Sequence, residues 1–392
     1  MSTRKVAVVG AGLSGSVLAR ELADSGRFQV AVFEERPHVG GNCRCFRDPD
    51  SGVLVHEFGP HVFHTSREDV WRYVRRWDEF RPHTLRVKAV TERGVFSLPI
   101  NLLTINQFFG LRLDPRHAEA FIAGLGDRSV KEPRTFEEQA LRYLGRELYQ
   151  AFFRGYTKKQ WGIEPAGLPT SILARLPVRF NYDDGYYNDT YSAIPVHGYT
   201  HVVEQLLDHP RLEVHLSRSI GRSDAREFDH VFYTGSLDRW FEYDIGRLAY
   251  RSVLFERLIE RGDYQGTAVI NYCEERVPYT RVTEFKHFTP WEEHELTVCF
   301  RETSIPAGAG DPLCYPVPLS ERSGPLWEYV ARAQRERHAT FLGRLGTYRY
   351  LDMHVVVAEA LDLARKVLEA PTAAERWPRF TGMPVPLDGI SC

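Results

Sequence analysis

Three features of the chain predict an α/β fold in three parts. The first is Lys5–Asn42, which runs strand, glycine turn, helix, strand, acid. The second is a stretch of helical patterning over Ile100–Tyr156. The third is a series of short β-rich segments between Leu248 and Phe300. Together they predict a Rossmann-like domain carrying an inserted helical domain and an antiparallel β-sheet domain.

Val6–Val9 is a continuous apolar run, as expected of a strand buried on both faces. Gly10, Gly12 and Gly15 follow at fingerprint spacing, and Val17, Leu18 and Leu22 continue at helical spacing. Gly10 permits the tight turn. Gly12, with Leu13 and Ser14 at the helix start, lets a pyrophosphate approach free backbone N–H groups. Gly15 lets helix and strand pack closely. Gln29–Phe33 is the next strand, and Glu34 stands where a ribose hydroxyl acceptor belongs. Glu35, Arg36, Gly41 and Asn42 add a second glycine turn, suited to an extended dinucleotide. This pattern is of the FAD type, although NAD fits the fingerprint too.

Further along, Cys43–Pro60 reads as a β-excursion with a turn at Asp48–Gly52. Glu68–Trp77 reads as a short helix, and Leu85–Leu98 as strands around Arg93-Gly94. Thr104–Phe109, Arg116–Leu125 and Thr135–Phe153 are predicted helices, the last opened by a capping box at Thr135 and Glu138. Pro165–Arg179 reads as a loop or lid, and Phe180–Tyr191 is expected to run back toward a sheet. His201–Leu207 is a helix, with Leu212–His215 and His230–Tyr233 returning to the first domain. Leu248–Phe255, Thr267–Tyr272, Arg281–Phe285 and Leu296–Phe300 are the predicted antiparallel strands. Leu326–Glu336 is a helix, Thr340–Leu342 a strand, and Gly343–Tyr350 a turn feeding the helix Met353–Leu368. The domain expectation is 1–80, 192–245 and 335–370 for the dinucleotide domain. It assigns 100–175 to the helical domain with its lid, and 81–99, 176–191 and 246–334 to the sheet domain. Residues 371–392 form a Pro-rich tail.

Composition narrows the function. At 392 residues two or three domains are expected. The net charge of −2 gives no electrostatic case for nucleic acid or an anionic membrane. No apolar run is long enough to span a bilayer. The first strand begins too early to leave room for a signal peptide, so a cytoplasmic location is expected. The six cysteines are scattered without zinc spacing, so reduced thiols and no metal site are expected. Aromatic residues gather in Phe152–Trp161 and Phe180–Tyr191, interleaved with polar residues, as a cleft that stacks a base and a sugar would need.

Several motifs resemble those of the bacterial UDP-galactopyranose mutases: GAGLSG, GPHVFHT, FSLPIN, TINQFF, TFEEQALRYLG, FFRGYTKKQWG, LPVRFNYDD, GDYQG, VPYTR and GRLGTYRYLDM. The resemblance runs from about Lys5 to Leu368. It implies an FAD enzyme that interconverts six- and five-membered ring forms of a nucleotide-linked sugar without net redox change. In that family, reduced FAD attacks the anomeric carbon through N5, the nucleotide leaves, and the sugar re-closes through another hydroxyl. The implied partners are a nucleotide-sugar substrate and an external electron donor, with a homodimer expected by analogy alone.

The resemblance also implies site residues. Arg175 and Arg281 are the candidate cations for the diphosphate leaving group, since arginine binds phosphate bidentately. Phe152, Tyr156, Thr157 and Trp161 are placed at the uracil and sugar. Tyr186, Asn271, Tyr315, Tyr350 and Asp352 match cleft positions. His61 and His64 lie in the loop beside the flavin. Arg344, Tyr350, Asp352 and Met353 are expected to meet FAD. For each, the simpler alternative is a structural residue: a core aromatic, a surface arginine or a turn histidine.

Departures from the family bear on the sugar. Where the family usually reads Tyr-x-Asn-Arg-Val-Lys, this chain has His83-Thr84-Leu85-Arg86-Val87-Lys88. Tyr187 replaces a phenylalanine, Val196-His197 replaces a Lys- and Cys-rich segment, and Leu103 stands where a histidine is common. Leu85 in place of a sugar-bonding asparagine favours a substrate lacking a hydroxyl. UDP-galactopyranose is the default substrate, and a deoxyhexose such as TDP-fucopyranose the alternative. An FAD oxidoreductase shares the opening fingerprint but leaves the paired arginines and the Tyr/Trp motif unexplained. A non-catalytic flavin or nucleotide-sugar binding protein is the remaining class.

Overall fold

The computed structural model describes residues 3–170, 172, 178–317, 324–372 and 374–383. A five-stranded parallel sheet forms the base of the molecule. Its spatial order is Leu212–His215, Phe28–Phe33, Arg4–Val9, His230–Tyr233, Ala339–Phe341. Arg4–Val9 is central, and its last four residues are buried on both faces, as the unbroken apolar run requires. The chain builds outward from this strand on one side, then crosses to the other at His230. The crevice at the strand ends between Arg4–Val9 and His230–Tyr233 is therefore the switch point where α/β sheets bind ligands. Helix Leu13–Asp24 covers one face, packed with Tyr199–Leu207 and Met353–Glu369 through Val17, Leu18, Leu22, Val203, Val357 and Leu363.

The second sheet has seven strands, in the order Tyr315–Pro316, Tyr250–Arg261, Leu296–Pro306, Arg281–Glu284, Val269–Tyr272, Val87–Thr91, Gly94–Leu98. It is mixed, which corrects the expectation of a purely antiparallel sheet. Val269–Tyr272 runs parallel to Val87–Thr91, with Val269 opposite Val87. Tight turns force antiparallel neighbours, but these two strands are joined by a long excursion that leaves either direction open. Leu296–Pro306 and Tyr250–Arg261 also run well beyond their predicted ends.

The predicted helices pack on the seven-stranded sheet. Asn101 caps Leu102–Phe109 through the Thr104 N–H (3.0 Å), and Asp114 caps Pro115–Leu125. The capping box of Thr135 and Glu138 opens Phe136–Leu148. The single helix expected over Thr135–Phe153 is not continuous. Its backbone breaks at Gly145 (φ 77°), where a Cβ would press on Leu125, and widens into a π-turn at Tyr149–Arg154. The helix Gly155–Trp161 follows and stops at Gly162. Phe180–Thr190 runs back toward a sheet, as expected, and reaches it at Tyr191. It is irregular, fastened by Arg179 to the Gly185 carbonyl and the Asn188 side chain, and pairing resumes at Tyr191–Pro195. Among the described residues no helix is long and apolar enough to cross a membrane.

Glu284 anchors the strand that carries Arg281. Its carboxylate is fully buried and accepts the N–H groups of Tyr264 (2.8 Å), Gln265 (2.8 Å) and Gly266 (3.2 Å) and the Thr297 hydroxyl (2.8 Å). Burial alone would raise its pKa. The His287 contact and these donors outweigh burial and bring it from an ordinary 4.5 down to about 2. A folded-state pKa below the unfolded one gives stability that is present above pH 4.5 and is lost as the pH falls toward about 2. Glu284→Gln is expected to lower stability at neutral pH by about 3 kcal/mol and to flatten the acid limb below the carboxylate range, because an amide N–H₂ faces donors. Urea unfolding at several pH values measures both, and a variant as stable as wild type would contradict this role.

Candidate active site

The crevice at the switch point is built by two glycine turns placed back to back. Gly10 adopts φ 102°, and a side chain there would collide with the Thr234 hydroxyl. A Cβ on Gly41 would come within 2.9 Å of the Gly12 Cα. Both turns therefore present bare backbone to the space between them, and Gly12 caps helix Leu13–Asp24 without any side chain over its N–H groups. Gly15 lies beneath, against the Gly10 carbonyl. The Glu34 carboxylate accepts the Ala11 N–H (2.8 Å) and the Arg36 N–H (3.0 Å), and each oxygen keeps a second lone pair. Glu35 pairs with Arg239. Arg36 donates to Asn42 Oδ1 (3.1 Å) and lies over the Phe58 ring, while its Nη1 is buried with no protein partner.

The crevice holds about 1100 Å³, part of it continuous with solvent, and Leu13, Ser14, Glu34, Glu35, Arg36, Gly41, Asn42, His61, Arg344 and Met353 line it. It also takes Arg218, Thr234, Gly235, Arg239 and Gly343, which sequence reasoning missed. A Thr-Gly pair closing the strand next to the first one was the available signal, but its use requires knowing that His230–Tyr233 pairs with Arg4–Val9.

A second constellation lies on the seven-stranded sheet. Asn271, Arg281 and Glu302 stand directly opposite one another on three neighbouring strands. Opposed residues point to one face, so register alone assembles them. Glu302 was not anticipated. It is 2% exposed, lies 3.1 Å from Arg281 Nε, and accepts the Thr283 hydroxyl (2.9 Å). Burial pushes its carboxyl up, and Arg281 opposes that shift. Burial likewise disfavours the Arg281 cation, but Glu302 and the nearby Tyr156, Tyr315 and Tyr186 outweigh it and hold the guanidinium charged. Asn271 Oδ1 is buried with no partner. The signal for Glu302 was the alternation Val298, Phe300, Glu302, an acid continuing an inward apolar face.

Aromatic residues close over this row. Trp161 meets Tyr315 (6.2 Å) and Tyr350 (5.8 Å) edge-on, and those two rings are 5.6 Å apart. Burial raises the Tyr156 phenol, with Arg281, Tyr186, Glu302 and Tyr350 acting on it in turn. Thr157 is buried on the same helix. Phe152 does not join the cluster. Its ring is 2% exposed and packs against Phe96 (5.5 Å) and Phe108 (5.3 Å), which places it in the aromatic core and not on the expected stacking face. Leu85 is 6% exposed, and its carbonyl accepts the Tyr186 N–H (2.8 Å), which puts the two residues side by side. Arg175 lies outside the described residues.

His61 and Arg344 join the two regions. Arg344 lines the crevice, donates to the carbonyls of Cys314 (3.1 Å) and Leu351 (2.6 Å), and faces the Tyr350 ring at 4.9 Å. His61 also lines the crevice. Burial, with the Arg344 and Arg281 cations, drives its pKa down to about 4, so the ring is neutral at pH 7. Its Nδ1 is buried without a partner. His64 is organised separately: Nδ1 lies 2.6 Å from Asp189, and the ring stacks on Tyr187 at 3.7 Å. Asp352 is the N-cap residue of helix Met353–Glu369. Among the described residues two groups could hold a metal by proximity, Asp78 with His197 and His201, and Asp263 with Glu284 and His287. None of these residues lines the crevice.

A sequence profile described as UDP-galactopyranose mutase matches residues 151–350, and one described as an NAD(P)-binding Rossmann-like domain matches residues 8–77. The chain is 50% identical to a probable UDP-galactopyranose mutase of Klebsiella pneumoniae over 97% of this chain and 99% of that one. It is 45% identical to the dTDP-fucopyranose mutase of Escherichia coli over 92% and 97%. The crystal structure of a reduced UDP-galactopyranose mutase superposes with a TM-score of 0.74 at 16% identity, covering 98% of this chain and 99% of that one, which supports the fold. The chain is a mutase, an isomerase of the UDP-galactopyranose mutase family.

Proposed function

We propose that this protein is a reduced-flavin-dependent mutase that interconverts the pyranose and furanose forms of a nucleotide-linked hexose. The observation that carries this is the row Asn271–Arg281–Glu302, roofed by tyrosines and joined through His61 and Arg344 to a dinucleotide crevice. FAD fits that crevice on the evidence of its own atoms: bare glycine backbone at a helix N-terminus, an acid at the second strand end, and a buried Arg36 Nη1 without a partner. When bound and reduced, the flavin supplies the electron pair that displaces the nucleotide from the anomeric carbon.

The chain's own residues then have distinct tasks. Arg281 receives the diphosphate as the anomeric C–O bond breaks and holds it for the return step, with the Tyr315 and Tyr350 hydroxyls as further donors. Glu302 keeps Arg281 in place. Trp161, Tyr156 and Tyr186 wall the sugar and base, and exclude water from a reaction that hydrolysis would end. Asn271 offers an unmet acceptor to a hydroxyl. A neutral His61 lowers the positive charge beside the flavin. The His64–Asp189 pair is the candidate for moving a proton as the ring opens and closes. The isomerisation is redox-neutral overall, so an external donor would be needed only to bring the cofactor to its reduced form.

UDP-galactopyranose is the substrate we assign first. Leu85, apolar and adjacent to Tyr186, favours the second assignment, a deoxyhexose nucleotide of the dTDP-fucopyranose kind. A hydroxyl facing leucine loses its partner, whereas a methyl group does not.

Two outcomes test these assignments. Purified protein is expected to convert UDP-galactofuranose or dTDP-fucofuranose to the pyranose only after dithionite reduction, read by chromatography. Equal conversion by the oxidised enzyme would contradict a role for reduced flavin. Leu85→Asn is expected to shift the kcat/KM ratio toward galactose by about tenfold, the worth of one net hydrogen bond. An unchanged ratio would remove Leu85 from sugar selection.

A further inference from the structure

Lys159, a half-buried cation, lies beside this site. Lys159 sits on helix Gly155–Trp161, three residues after Tyr156 and two before Trp161. Its ammonium donates to four backbone carbonyls of a single turn: Tyr272 (2.8 Å), Glu274 (2.8 Å), Val277 (3.0 Å) and Tyr279 (2.9 Å). An ammonium has only three N–H bonds, so these contacts are shared. The oxygens surround it as they would a small bound cation.

The turn it fills joins Val269–Tyr272 to Arg281–Glu284, and so connects Asn271 with Arg281. Other contacts fasten the same helix to the same turn. A side chain on Gly155 would collide with the Cys273 carbonyl, and Glu275 pairs with Lys158 (3.1 Å) and Arg154 (3.8 Å). On the far side Arg251 donates to the Ser304 carbonyl (2.9 Å), and the Ser304 hydroxyl donates to the Gln160 carbonyl (2.7 Å). The helix with Tyr156 and Trp161 is thus gripped between the hairpin of Arg281 and the strand of Glu302. Burial lowers the Lys159 pKa to about 8, with Cys273, Glu274 and Glu275 resisting that shift. The side chain therefore stays charged at neutral pH.

We propose that Lys159 is a positioning residue for the mutase reaction, a tethered cation whose four carbonyl ligands fix Asn271 and Arg281 relative to Tyr156 and Trp161. This rests on the roles proposed above for Arg281 and the aromatic wall. Lys159 does not line the dinucleotide crevice, so its loss should spare flavin binding.

The test uses the flavin-loaded enzyme and its Lys159→Ala and Lys159→Gln variants. Both are expected to keep wild-type flavin content while UDP affinity and kcat/KM fall by about 10²-fold, the effect of misplacing a binding group by about 1 Å. Added methylammonium should restore the alanine variant, whose vacated site it can enter, and leave the glutamine variant unrestored. Placed on Arg281→Ala, the Lys159→Ala change should add little further loss, because the two act as one unit. Wild-type UDP affinity in both variants, or losses that add in full, would overturn the proposal while leaving the functional reading intact. Wild-type enzyme that binds neither UDP nor dTDP would overturn both.

Discussion

The pair of Arg281, half-buried, and Glu302, buried, is the constraint on which the rest of the site depends. Taking a guanidinium and a carboxylate out of water costs several kcal/mol per ion, so such a pair survives only with good neighbours. Here the neighbours are supplied by register. Arg281 stands opposite Asn271 on one side and Glu302 on the other, and the Thr283 hydroxyl bonds the same carboxylate. A one-residue slip of any of the three strands would turn its member to the opposite face. Glu284, three residues beyond Arg281, fastens the end of the same strand. The result is a fixed positive charge that is not used up by its partner, because the 3.1 Å contact to Nε leaves the other guanidinium N–H groups for an anion.

Around that charge the molecule brings together two sites of different origin. The dinucleotide crevice comes from the switch point of the parallel sheet, where glycine backbone and a helix N-terminus accept phosphates. The tyrosine cluster comes from the mixed sheet and from the helix that follows the π-turn. His61 and Arg344 belong to both. That shared wall puts the crevice and the Arg281 row side by side, as the proposed reaction, which would break and re-form one glycosyl bond, requires.

Local rules made much of this legible in the sequence. Glycine spacing, the acid after the second strand and the capping box at Thr135 each depend on residues close in the chain, and each matches the structure. Signals that depend on pairing were not legible. Glu302 lay beyond the predicted end of its strand, the parallel pairing of Val269–Tyr272 with Val87–Thr91 joins segments far apart, and Thr234 gains meaning only beside Gly10. Phe152 shows the converse. Its motif suggested a ligand contact, but its ring, on the π-turn, lies in the aromatic core beside Phe96 and Phe108. Lys159 looked like one more basic residue in the motif, and only the folded turn of carbonyls distinguishes it.

The most direct measurement is a crystal structure of the enzyme with FAD reduced and UDP bound. The expected result has the diphosphate within hydrogen-bond distance of the Arg281 guanidinium and the uracil on the Tyr156 side, while Glu302 keeps its contact to Arg281. A diphosphate bound elsewhere, with Arg281 making no contact to it, would contradict the assignment of this cation to the leaving group.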